Sequence, residues 1–242
     1  MKQRRWNAIV EGPDSMLTAL ALHFRGRTRL ERGPDGWELT DERFEALASA
    51  AEVGAKAREL VSQLSALGRL RLSSRHGLAY GGLVEVGPAG HRTRRISGVA
   101  HVEVDGPITS GTGTVGGPSA PPPPPESWER YLDLASDDER VHAALAFLDL
   151  PPTWHHLSAA LDAVKSKQRR PAGRRRVKRT DEEELFHWTA NNYAAVGTQA
   201  RHGDPLRQAP DDPMTLPEAR AFVRRRVMAW LDELLSPAAE GR

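Results

Sequence analysis

The chain of 242 residues contains no cysteine. That absence removes disulfide frameworks, Cys-ligated zinc, iron–sulfur clusters and cysteine nucleophiles together. Aromatic residues are sparse, at 6%, and no window approaches the roughly 18 consecutive apolar residues of a membrane span. The start, MKQRRWNAIVEG, has basic residues but no apolar stretch of signal-peptide kind. The expectation is a soluble, cytoplasmic protein with no membrane partner. Neither sign of charge is in large excess. There are 34 Lys and Arg against 32 Asp and Glu, a net of +2, too small to name a partner. Thr112-Gly113-Thr114-Val115-Gly116-Gly117 is glycine-rich but lacks the Lys-Ser/Thr that completes a phosphate loop. Adjacent His155 and His156 would point about 100° apart on a helix, so at most one could join a metal site. No cofactor and no metal are expected. What is present, 39% apolar and 27% charged residues, is the composition of an ordinary globular chain.

Composition also divides the chain. Residues 106–125 read GPITSGTGTVGGPSAPPPPP, a stretch with almost nothing to bury, ending in five prolines that favour an extended spacer. The expected organisation is an α+β domain over 1–105, a Gly/Pro-rich linker over 106–125 and a helical bundle over 126–242. In the first part Trp6–Val10 reads as a strand. Gly12-Pro13-Asp14-Ser15 opens a helix whose apolar residues Met16, Leu17, Leu20 and Phe24 share a face. Gly33-Pro34-Asp35-Gly36 marks a hairpin between strands near Arg29-Leu30 and Trp37–Leu39. A long helix is expected from about Asp41, bending near Val53-Gly54 and closing at Gly68. Strands then return at 69–72, 83–86, 92–96 and 99–104, making a mostly antiparallel sheet. In the second part helices are expected near 127–134, 137–149, 153–166, 181–199 and 215–235. Thr180 serves as an N-cap, Thr215 or Leu216 forms the cap region of the last helix, and Pro217 sits in its first turn. The six tryptophans are expected to serve cores, with Trp37 and Trp128 the best candidates for exposure.

Two features carry the functional expectation. Residues 165–179, KSKQRRPAGRRRVKR, hold nine cations and no acid: Lys165, Lys167, Arg169, Arg170, Arg174, Arg175, Arg176, Lys178 and Arg179. Pro171-Ala172-Gly173 interrupts any helix there, and an exposed loop of this charge can neutralise several phosphates. The second feature is Asn191-Asn192 among Trp188, Tyr193 and Val196, followed by Arg201-His202. Asn competes with the helix for backbone hydrogen bonds, so an inward-facing Asn needs partners. Asn192, Arg201 and His202 could form a polar site in which Arg supplies charge, His proton transfer and Asn orientation. Alternatively the Asn bridges the following loop while Arg201 pairs with Asp204, Asp211 or Asp212. Ser73-Ser74-Arg75-His76-Gly77 offers Ser and His without the surroundings of a triad.

The stretch F-x-x-x-A-N-N-x-x-x-x-G-x-x-x-R-H-G at 186–203, between a Trp154-x-x-Leu157 helix and an Ala219…Trp230-Leu231 helix, resembles uncharacterised bacterial two-domain proteins. Over about 126–238 the chain also resembles the helical C-terminal domains of HEPN-like and abortive-infection proteins. The resemblance implies a helical bundle, a setting in phage defence, and ribonuclease activity through Arg201, His202 and Asn192. The Arg-to-His spacing of that family is absent from the helical part, where seven residues separate Arg179 from His187 and Arg201 abuts His202. Spacings that match it, Arg71 to His76 and Arg95 to His101, lie in the α+β part. The leading expectation is a non-enzymatic recognition or adaptor protein, in defence or stress response, that binds nucleic acid or a protein partner. The ribonuclease is the alternative, and a purely structural adaptor the third.

Overall fold

A computed structural model of the chain describes residues 5–87, 91–95, 126–165, 180–201 and 208–236. The expected linker and the expected strand at 99–104 lie outside the described residues. Five strands form one antiparallel sheet: β1 (Arg5–Glu11), β2 (Thr28–Gly33), β3 (Gly36–Asp41), β4 (Ala79–Val86) and β5 (Arg92–Arg95), in the order β2-β3-β1-β4-β5. The expected strand at Trp6–Val10 is the centre of this sheet, which is why Asn7 to Val10 are buried without interruption. The expected hairpin is also present, with Gly33 opposite Gly36.

Alternation sorts β1 between two faces. Ala8 and Val10 join the main core, while Asn7 and Ile9 face the other side. Helix α1 (Asp14–Ala21) and the 22-residue α2 (Ala50–Arg71) pack on the core face. Asp41 does not start the long helix. It caps a short 3₁₀ turn over Glu42–Ala46, and α2 begins later, where Ser49 and Glu52 form a reciprocal capping box. The helix also continues through Gly68 to Arg71, so the strand expected at 69–72 is its last turn. Gly68 is the point of closest approach to Met16, which a Cβ there would strike. From Leu60 onward α2 is buried nearly all round, because it lies between the sheet and the second half of the chain.

That second half is helical: α3 (Glu126–Asp137), α4 (Glu139–Asp149), α5 (Trp154–Lys165), α6 (Asp181–Ala190), the single turn α7 (Tyr193–Val196) and α8 (Leu216–Leu235). The protein is thus α+β, an antiparallel sheet followed by helices. Helix α4 packs on α2 and α5, and α5 packs on α8. The helix expected over 181–199 stops at Ala190, because Asn191 occupies the cap and Asn192 starts a new turn. Leu64 and Leu67 on one side of 106–125, and Leu145, Leu157 and Phe222 on the other, belong to one continuous apolar cluster. Trp128, one of the two candidates for the surface, is 2% exposed. It stacks on His23 with ring centroids 4.1 Å apart and meets Phe24 edge-on. Trp37 is half-buried and donates to Asp14 at 2.7 Å. The exposed tryptophan is Trp188, at 44%. Among the described residues no helix is long and apolar enough to cross a membrane.

Candidate functional site: an arginine-lined cleft

Of the residues singled out in the sequence, Asn192, Arg201 and Lys165 are among those described. Asn192 is fully buried; its side chain accepts from the Ala195 amide at 3.1 Å, capping α7, and donates to the Gln208 carbonyl at 2.7 Å. Arg201 turns to Asp162 on α5, at 3.3 Å, and its amide donates to Ala190. Asn192 and Arg201 therefore each hold the chain end of α6–α7 to neighbouring backbone or to α5. His202 lies outside the described residues. So do Lys167, Arg169, Arg170, Arg174, Arg175, Arg176, Lys178 and Arg179.

Lys165, the first cation of the basic run, ends α5 and turns inward. Its ammonium lies 2.7 Å from Glu183 and 2.6 Å from His187 Nε2. An ammonium can only donate, so Nε2 accepts and the His187 proton sits on Nδ1. Burial would raise the Glu183 carboxyl, but the hydrogen bond and charge of Lys165, followed by the charge of Arg226, outweigh it and hold it below the ordinary carboxylate range. A lowered folded pKa gives stability that is present above the unfolded value of about 4.3 and lost as pH falls through the folded one. Lys165→Met removes the nearest of these cations. Its urea midpoint is expected to fall below that of the parent at pH 7, with the gap closing toward pH 3. A gap that stays constant over this range would contradict the assignment.

A different cluster has the character of a site. Helix α2 ends with Arg69 and Arg71, and Ser73 follows in a left-handed conformation (φ 57°), unusual for a residue with a Cβ. Arg75 lies just beyond. Opposite them, Arg220 and Arg224 stand one turn apart on α8, whose other side buries Ala219, Phe222 and Val223. Arg69, Arg75, Arg220 and Arg224 line one cleft of about 380 Å³, with Ser73 and an apolar wall of Pro152, Leu216, Pro217 and Ala221. That volume is in the range of small-ligand sites. Behind the arginines lies a pit of about 30 Å³, walled by Leu70, Phe147 and Leu157, with room for one or two waters.

Among the described residues few contacts hold these arginines. Arg220 donates to the Ser74 carbonyl, Arg224 to Leu70 and Arg69 to Leu150 at 3.3 Å. Capping the Leu70 carbonyl at the end of α2 and the Leu150 carbonyl at the end of α4 suits a cation, but each guanidinium carries five donors. Arg69 Nε has no partner among the described residues. Among the described residues no acid lines the cleft. Burial, then repulsion from Arg69, Arg75 and Arg224, pulls the Arg220 guanidinium below its usual range; burial, then Arg71, does the same to Arg224. Arg69 is lowered by burial, with Asp149 opposing. Burial pushes the Asp149 carboxyl above its ordinary value, against hydrogen bonds from Ser65 and Ser62 and the charge of Arg69. The next arginines along α8 differ: Arg225 pairs with Glu182 and Arg226 with Glu183.

Sequence reasoning missed this cluster because its members lie some 150 positions apart, each an ordinary residue of an Arg-rich chain. A signal was present in α8. Arg220 and Arg224 are like charges at i, i+4 with no acid three or four positions from either, an arrangement that disfavours an isolated helix. His155 and His156 hold no metal cluster among the described residues, and the His156 ring is engaged with the Pro151 carbonyl at 2.7 Å. Compared with known protein families, with curated proteins and with solved structures, the chain matches none.

Proposed function

We propose that this protein is a nucleic-acid recognition module that binds phosphate through the cleft between the end of α2 and α8. The observation that carries the reading is the convergence of Arg69, Arg75, Arg220 and Arg224 on one concave surface that no acid lines among the described residues. Gathering like charges costs free energy in the unliganded protein, and a bound anion returns it. Arginine suits the task because its planar fork grips phosphate oxygens in pairs. The nine cations of residues 165–179 support the same partner, since their sequence-independent attraction would raise the rate and strength of encounter. Recognition is favoured over catalysis because, among the described residues, the cleft's polar lining is arginine and Ser73, and the imidazole of the adjoining pit, His156, is engaged with the Pro151 carbonyl.

Arg75 gives the cleanest test, since it is exposed and lines the cleft. Arg75→Glu is expected to leave the melting temperature unchanged and to weaken binding of a labelled single-stranded RNA about tenfold or more. The slope of log affinity against log salt should flatten by roughly 0.7 for each phosphate no longer neutralised. Fluorescence anisotropy at several salt concentrations measures both. Unchanged affinity and slope would sink the proposal. Breakdown of the RNA during the titration, abolished by His202→Ala, would favour the ribonuclease instead.

A further inference from the structure

Polyanions differ in how they space their charge. A nucleic-acid strand carries one negative charge per phosphodiester, repeating about every 3.4 Å along the axis, and is matched by cations strung along a track. A phosphomonoester concentrates about −1.5 to −2 at pH 7 on three acceptor oxygens. The four arginines are of the second kind. They come from two chain segments about 150 residues apart and meet at one cleft.

The rest of the lining agrees. Ser73, at the turn that ends α2, adds a hydroxyl beside the guanidinium groups. Pro152, Leu216 and Pro217 supply an apolar wall on the same cleft, which bare phosphate would not use and a sugar or base would cover. The cleft's 380 Å³ suits one nucleotide more than a length of strand. Asp149 sits near Arg69 but does not line the cleft, so it offers no competing carboxylate there.

We infer that the arginine cleft takes a nucleoside phosphomonoester, the phosphorylated end of a strand, in preference to internal phosphodiesters. The inference rests on the nucleic-acid reading above and adds to it which part of the strand is held. The same chemistry is present in a free mononucleotide, and the experiment separates the two sources.

The test uses the full chain and three labelled oligoribonucleotides of one sequence, bearing a 5′-phosphate, a 3′-phosphate or hydroxyls at both ends. One phosphorylated form is expected to bind about tenfold or more tightly than the hydroxyl form, through the extra charge-assisted hydrogen bonds. Arg75→Glu should erase that preference. Arg220→Gln should do the same, its melting curve showing that it folds. Free nucleoside monophosphate that displaces the oligonucleotide at equal concentration assigns the cleft to mononucleotides. Displacement only at large excess assigns it to strand ends. Equal affinity for all three oligonucleotides overturns the inference, yet leaves the recognition reading standing if Arg75→Glu weakens all three. Failure of all three to bind overturns both.

Discussion

Trp128→Ala is expected to lower stability by about 3–5 kcal/mol and to do so for the whole protein in one transition. The indole is 2% exposed and belongs to α3, yet its closest ring neighbours, His23 and Phe24, follow α1 in the first part of the chain. Polar contacts run along the same seam: Glu129 accepts from the Thr28 amide, Asp133 pairs with Arg27, and Ser136 meets Arg43 at 3.3 Å. Removing the ring opens a cavity between elements from both halves, and the stacked His23 loses the surface that covers it. Burial holds the His23 imidazole below its ordinary pKa, so it enters this contact neutral near pH 7. Trp128→Phe is expected to lose much less, because Nε1 has no acceptor among the described residues and its removal forfeits no hydrogen bond. Urea unfolding followed by far-ultraviolet circular dichroism and by tryptophan fluorescence reads both quantities. Two separated transitions, or an alanine variant within about 1 kcal/mol of the parent, would contradict the shared core.

This seam also shows what was legible beforehand. Trp6–Val10, the Gly33–Gly36 turn and the Thr180 and Thr215 caps could be read because each depends on residues within a few positions of one another. The end of α2 could not, because Gly68 looks like a stop signal until Met16 is placed against it. Nothing within a few positions of Trp128 reports its burial, which comes from His23 and Phe24 a hundred positions away. The Asn191-Asn192 pair was legible as an anomaly, and the buried Asn192 side chain does find loop backbone. The arginine cleft was the least legible feature of all. Local pattern reports which residues are polar, but convergence on one surface is a property of the packing of α8 against the end of α2.

The same asymmetry between local and distant partners governs the outer face of the sheet, where Arg92→Met is expected to cost about 3 kcal/mol. Glu38 on β3 is buried, with its side chain only 3% exposed. It accepts from Asn7 on β1 at 2.6 Å and pairs with Arg92 on β5 at 2.5 Å. Arg92 is 27% exposed and holds Asp35 as well, at 2.9 Å. Its guanidinium is raised above the usual range, first by the hydrogen bond to Glu38, against the effect of burial. The two partners are therefore unequal. Without Arg92, a buried carboxylate keeps Asn7 but loses its counter-charge. Without the Glu38 charge, Arg92 keeps Asp35 and water. Glu38→Gln should consequently cost less than Arg92→Met, and the double variant should lose less than the sum of the two by about 1–2 kcal/mol. Urea midpoints for the four proteins complete the cycle. If Arg92→Met proved the milder change, the guanidinium would be an ordinary surface ion pair worth at most about 1 kcal/mol, and Asn7 with the backbone would suffice to keep Glu38 in the sheet.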